Sequence, residues 1–344
     1  MKDSIWTLPF ALLLSVLFFL SGLFSWFTPL PLFYIARRYS LARAAFAWGL
    51  VFLILVGFYE LFFFWMFQNG MAPNWLHWVS WLPGMAYYAV FGKKVVLSSI
   101  WVYLTFFASL SLMLAWRTRL EKSLIRLVIW VLLGTFLCTF LLITILIRGD
   151  FHALLQGGFH YLHTVLDQFV TLNKATGLQG DEIAFIEKNK VWIATSFLKV
   201  IPGFLFVVGV FLIAFNLGMA RKIFAAFGFF PQLEDFSVIH LPFWMVWFFI
   251  AVLSFFLMNT SVLHQDFLNE FFINLFLVFL VSYFFQGVSI TRFYLNKKQI
   301  GPGFRFFLYA LVFIFLQPLG FLIVGLGFFD SWFNFRRLKI QPTV

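Results

Sequence analysis

Residues 124–147 read LIRLVIWVLLGTFLCTFLLITILI, 24 residues with one charge, Arg126, near the start. About 20 consecutive apolar residues carry an α-helix across the hydrocarbon core of a bilayer. A helix that is apolar all round is buried, in a large core or in lipid. The stretch is therefore read as a membrane span. Seven more of the same kind lie at about 6–27, 41–67, 95–116, 191–217, 238–258, 271–291 and 306–328. A ninth apolar stretch, 76–92, holds His77 and is interrupted by Pro83-Gly84, so it reads as a short span or a re-entrant segment. Residues 30–36 are too short to span. Pro29 and Pro31 remove backbone donors there, and a turn or half-helix at the interface is expected.

The composition agrees. Of 344 residues 63% are hydrophobic and 11% charged, with 55 Phe, whereas soluble domains average about 25% charged residues. So apolar a chain cannot cover a soluble surface, which excludes a soluble globular enzyme, and it is far too hydrophobic to be disordered. The formal net charge of +11 sits in short loops rather than on a basic face, so the expected partner is the lipid bilayer and not nucleic acid. Cys138 is the single cysteine and lies inside an apolar run, so intrachain disulfides and Cys-rich metal sites are excluded. Met1-Lys2-Asp3 lacks a strongly basic leader, and the first apolar stretch reads as a retained span rather than a signal peptide.

Loop charges set the topology. If 76–92 does not cross, the loops at 37–43, 117–126, 221–222 and 292–305 share one side and hold thirteen Lys and Arg. The short loops of the other side hold Lys93 and Lys94. The positive-inside rule then favours eight spans with the basic loops in the cytoplasm. Nine spans, with 76–92 crossing, would erase that bias. The expectation is an all-α polytopic transmembrane helical bundle, one integral membrane domain over 1–344, in the bacterial inner (cytoplasmic) membrane. The polar segment at about 148–190 reads as an amphipathic helical cap on the membrane surface: Phe151, Leu155, Phe159, Leu162, Leu166 and Phe169 recur at helical spacing, opposite Gln156, His160, His163 and Asp167.

Few charges fall inside the spans, and each costs about 2.5–3.5 kcal/mol near a helix centre unless it is paired or functional. Glu60 and Lys199 are the clearest. In the eight-span reading both lie on the order of 10–12 Å below the outer face at 1.5 Å per residue, where they could pair or line a pocket. Asn259, Asn274 and Gln317 fall toward the same side and complete a candidate small-ligand cavity. The blander account is snorkelling for Lys199 and helix–helix hydrogen bonding for the amides. His160, His163 and Asp167 have a spacing that would suit a metal on one helix face, against the ordinary need of an interfacial helix for polar residues. No H-E-x-x-H, G-x-S-x-G, G-x-x-x-x-G-K-[ST] or G-x-G-x-x-G occurs. No enzyme activity and no cofactor are expected, and any ATP hydrolysis would belong to another subunit.

Several segments carry a family likeness. Pro29-Leu30-Pro31-Leu32 precedes Ala36-Arg37-Arg38-Tyr39-Ser40. His240-Leu241-Pro242 opens a span. Phe285-Gln286-Gly287-Val288-Ser289 and Gly325-Leu326-Gly327-Phe328-Phe329-Asp330 follow, the last with Arg336-Arg337 beyond it. Together they resemble the YybS-like family of predicted bacterial membrane proteins, which has no established activity. That family is distantly similar to the substrate-binding S-components of energy-coupling-factor vitamin transporters. The resemblance implies a small molecule bound near the outer face and separate ATPase and coupling subunits. The leading expectation is a solute-binding component of a transport system, with Glu60, Lys199, Asn274 and Gln317 as contacts. A membrane scaffold or assembly factor without a ligand is the alternative, and an intramembrane metal-dependent enzyme built on His160, His163 and Asp167 is a third.

Overall fold

A computed structural model describes residues 7–22, 24–68, 88–176, 180–226, 233–258 and 266–337. All regular structure among them is helical, as expected for a polytopic all-α bundle. The helices are α1 (Thr7–Leu20), α2 (Pro29–Arg38), α3 (Leu41–Gln68), α4 (Tyr88–Leu120), α5 (Leu124–Leu146), α6 (Phe151–Ala175), α7 (Asp181–Lys188), α8 (Lys190–Ala226), α9 (Trp244–Met258), α10 (Asp266–Lys297), α11 (Pro302–Ile314) and α12 (Leu316–Phe333). Six of these, α3, α4, α5, α8, α10 and α12, are long and apolar enough to cross a membrane, and α1, α9 and α11 are shorter apolar helices. Large side chains such as Leu61, Ile145 and Phe306 point outward and exposed, a surface suited to lipid. Most of 76–92 lies outside the described residues. Its end, from Tyr88, belongs to α4, which also carries Lys93 and Lys94 within the helix rather than in a loop.

The chain packs as two compact units. The first comprises Met1–Glu121, Arg126–Leu198 and Phe211–Pro231. Its centre is α2. Pro29 and Pro31 fall in the first turn, where a missing N–H leaves nothing unpaired, so the prolines start this helix instead of breaking it. It is apolar on every side up to Ala36, and Leu32, Phe33, Ile35 and Ala36 are fully buried among α1, α3 and α4. The expected half-helix is thus present, and it is core. Trp48 on α3 donates to Ser111 on α4 at 2.6 Å. Asn216 on α8 donates to the carbonyls of Trp26 and Leu212, and Phe224 packs on Phe33 and Tyr34. The polar segment forms α6 and α7. Asp150 caps α6 by accepting the Ala153 N–H, and Gly149 at φ +80° turns the chain into it, a conformation only glycine adopts at little cost.

The second unit comprises Lys122–Ile125, Lys199–Val210 and Gln232–Val344. Phe249 of α9 packs on Phe279 and Tyr283 of α10, while Phe255 meets Phe272 and Phe256 meets Phe276. Partner numbers fall as positions rise, so α9 and α10 are antiparallel. Against α12 the order reverses: Gln286 meets Asp330 and Tyr294 meets Phe335. These two helices are parallel, and they approach so closely that glycine is required at the crossing. A Cβ on Gly287 would lie 1.9 Å from the Ile323 carbonyl oxygen, and one on Gly327 would lie 2.0 Å from that of Tyr283. This is the small-residue approach that lets membrane helices pack backbone to backbone.

The stretch 306–328, expected as one span, is two helices. The chain breaks at Phe315 (φ −102°, ψ 41°). Pro318 has no N–H for the Ile314 carbonyl and its ring crowds that oxygen; in the first turn of a new helix it is tolerated. Arg305, in the first turn of α11, holds Asn296 and the Leu295 and Ile300 carbonyls at the C-terminal end of α10. From there α11 runs back so that α12 can rise parallel to α10. The pair returns the chain to the end of α10 it left. A single span over 306–328 would instead carry Arg336 and Arg337 away from Arg292 and Lys297.

Candidate functional site

Two polar clusters sit on α10, twelve residues apart from Asn274 to Gln286, about 18 Å along the axis. The first is built on a fault in α8. Pro202 lies inside this 37-residue helix and leaves the Leu198 carbonyl without its usual donor. At the next rung Asn274 of α10 intervenes. Its Oδ1 accepts the Gly203 N–H at 2.6 Å, and its Nδ2 donates to the Lys199 carbonyl at 2.7 Å and to that of Glu270 at 2.6 Å. The side-chain amide thus engages both members of the rung that would join Gly203 to Lys199. Gly203 makes this approach available: a Cβ there would lie 2.8 Å from Asn274 Oδ1 and 3.0 Å from Asn274 Cα. Asn274→Ala is expected to cost about 1–3 kcal/mol through unpaired backbone groups, read as a lower unfolding temperature in detergent.

Beside this splice Lys199 Nζ lies 3.0 Å from Glu270 Oε1, with side chains 33% and 37% exposed. A pair this open gains little from desolvated attraction and stays accessible to a competing charge. Lys199 and Asn274, both expected as site residues, are therefore neighbours. Glu270, one turn before Asn274, completes the group. It escapes a sequence reading that starts the span at Phe271, although an acid at i−4 from an intramembrane Asn was a usable signal.

The other expected residues lie on other elements. Glu60 lies on α3 in the first unit. Gln317 is exposed in the first turn of α12. Asn274 and Tyr283 are nine residues apart, half a revolution at 3.6 residues per turn, so α8 and α12 occupy opposite faces of α10. Gln317 consequently does not join Lys199 and Asn274. Asn259 lies outside the described residues. On α6 His163 Nδ1 lies 3.0 Å from Asp167 Oδ2, and Lys190 binds Asp167 Oδ1. The Lys190 hydrogen bond holds the Asp167 carboxyl below its usual range, with His163 adding to the effect. An ammonium thus stands where the metal reading would put a cation. Among the described residues no three of His, Cys, Asp and Glu gather as a metal site.

The second cluster is fully buried. Asp330 and Arg336 pair at 2.8 Å, with both side chains closed to solvent. Asp330 also accepts the Phe335 N–H and the Gln286 amide. Arg336 donates to the carbonyls of Ser237 and Ile239 and to Ser289 Oγ, and Gln286 Oε1 accepts the Leu241 N–H. Three of the quoted segments, at 240–242, 285–289 and 325–336, meet here. Every carboxylate oxygen is engaged, so this cluster is a latch between the end of α12, α10 and the entry to α9.

No curated protein and no solved structure matches the chain. Residues 79–331 match a family described as predicted membrane protein (DUF2232), a range that includes Lys199, Glu270, Asn274 and Asp330. With nearly three quarters of its length matched, the chain belongs to the DUF2232 family of predicted membrane proteins.

Proposed function

We propose that this multi-pass protein binds a small solute in the bacterial inner membrane as a component of a transport system, with Lys199 and Glu270 as its charged contacts. The observation that carries this is the partly exposed Lys199–Glu270 pair beside Pro202, inside the continuous helix α8. Ionisable groups within membrane segments mark solute paths by default, and a proline inside a span frees a backbone carbonyl that a ligand can use. A carboxylate or phosphate displaces Glu270 from Lys199, and an amine meets Glu270. Asn274 fixes the geometry of both. Without a nucleotide-binding motif of its own, the chain relies on separate ATPase and coupling subunits, in line with its resemblance to S-components.

A thermal-shift panel of vitamins, amino acids and phosphorylated metabolites on the full chain tests this. A stabilising solute is expected, with affinity falling about 10-fold or more in Lys199→Ala and Glu270→Gln, since hydrogen bonds to charged groups are worth roughly 1.5–3 kcal/mol. No stabilising solute, with unchanged cellular uptake in both variants, overturns it. The scaffold reading draws on α6, whose Leu155, Phe169 and Leu172 are exposed. Co-purification with envelope-building proteins in place of an ATPase would favour it.

A further inference from the structure

Lys199 and Glu270 carry opposite unit charges on the neighbouring helices α8 and α10, and both lie within candidate spans. Their charged atoms are 3.0 Å apart, so the pair is neutral as a whole. One side-chain amide positions both residues. Asn274 Nδ2 donates to the Lys199 carbonyl and to the Glu270 carbonyl, and its Oδ1 accepts the Gly203 N–H. Both amide hydrogens are thereby spent on backbone. Asn274 fixes the spacing of the two charged residues and leaves the ligand contacts to their side chains. Those side chains are partly exposed, so a solute can reach both heads.

An ionised group inside a span is costly unless its charge is matched. A solute with one net charge matches one head of the pair and separates it from the other. A monoanion drawn to Lys199 takes that ammonium from Glu270, and a monocation drawn to Glu270 takes that carboxylate from Lys199. A zwitterion replaces both halves of the pair at once and keeps the site neutral. The spacing is restrictive too. In an α-amino acid the ammonium and the carboxylate share one carbon, and with bonds of about 1.5 Å the nitrogen and the nearer oxygen lie about 3 Å apart. That matches the separation of the two heads that receive them. On the solute-binding reading, we propose that Lys199 and Glu270 bind the main-chain zwitterion of a free amino acid, with the Lys199 ammonium on its carboxylate and the Glu270 carboxylate on its ammonium.

The test is a thermal-shift series on the full chain in detergent with the standard free amino acids. Two capped forms of the strongest binder follow: the N-acetyl derivative, which lacks the ammonium, and the amide derivative, which lacks the carboxylate. At least one free amino acid stabilises the chain, and each capped form binds about 10-fold more weakly, the loss of a hydrogen bond to a charged group. 6-Aminohexanoate, whose two charges stand at opposite ends of a long chain, binds as weakly. The cost of the N-acetyl cap vanishes in Glu270→Gln, and the cost of the amide cap vanishes in Lys199→Met. A merely structural role of either residue would not pair cap with variant in this way. The derivative series needs only the natural chain, so the result stays readable if a variant does not fold. Capped forms or 6-aminohexanoate that bind as tightly as the free amino acid overturn the proposal. So does stabilisation by a solute of net charge, such as a phosphorylated metabolite, with none by an amino acid, an outcome that leaves the solute-binding reading in place. No stabilisation by any solute overturns both.

Discussion

Asp330→Leu is expected to cost about 3–5 kcal/mol, the penalty for leaving one member of a buried ion pair uncompensated. That corresponds to a fall in apparent unfolding temperature on the order of 10 °C. Asp330 is fully buried, and Arg336 is 4% exposed, so neither charge can reach water when the other is removed. Arg336→Met should be comparably damaging, because it strands Asp330 with the Gln286 amide and the Phe335 N–H alone. The double variant Asp330→Leu/Arg336→Met is the diagnostic one. It removes both charges and leaves apolar groups of similar size, and a buried pair replaced in this way is often neutral. Its cost should therefore fall well below the sum of the single variants, and below either one. Unfolding followed by intrinsic fluorescence in detergent measures all three. A double variant as damaged as the sum would show that the polar contacts, and not the charge pairing, hold the latch.

Gly327→Ala is expected to be as severe. The added methyl would sit 2.0 Å from the Tyr283 carbonyl oxygen and 2.8 Å from the Gly287 nitrogen. Both are backbone atoms, which cannot rotate aside as a side-chain tip can. The helices must separate, and ordinary overpacking already costs about 1–3 kcal/mol. Separation also draws Asp330, three residues on, away from Gln286, so the latch is lost with the crossing. Gly287→Ala should match it, because its methyl would meet the Ile323 carbonyl. Gly325→Ala, in the same helix with nothing within 4 Å, is the control. It should be neutral or stabilising by up to about 1 kcal/mol, the helix-propensity gain of Ala over Gly. Equal damage at 325 and 327 would mean that α12 tolerates no side chain at any of its glycines, and that the close crossing is not the cause.

How much of this was legible beforehand depends on the range of the signal. Long apolar runs with at most one charge, such as 124–147, declare helices outright, because nothing but hydrocarbon accommodates them. Lys199 and Asn274 stood out for the same reason, as polar exceptions in apolar runs. Glu270 was hidden by one position of span boundary. The reversal at Phe315 was hidden because 306–328 has the hydropathy of a span, and only Pro318 hints that its ladder is broken. The burial of α2 was hidden because two prolines in a short apolar stretch suggest a turn or half-helix at the interface until they are placed in the first turn of a core helix. Asp330 and Arg336 looked like features of a terminal motif rather than partners. What joins them is Asn334, whose left-handed φ of 41° ends α12 and folds the chain back until Phe335 donates to Asp330. Asparagine is among the few residues that tolerate that conformation at a helix end, so the turn was in principle readable. The carbonyls at 237 and 239 that complete the cage were not, because nothing local links them to residue 336.

That sequence distance puts a clock on biogenesis. Ser237 and Arg336 are 99 residues apart, and at about 5–20 residues per second roughly 5–20 s of synthesis separate them. Once residue 297 is made, α9 and α10 are complete, while Gln286, Ser289 and two open carbonyls still have no guanidinium to receive them. A nascent second unit therefore carries unsatisfied polar groups, held by water, lipid headgroups or an insertase, until the latch arrives. Ribosome pausing between residues 297 and 330 should lengthen that exposure and raise the fraction of chains degraded before completion.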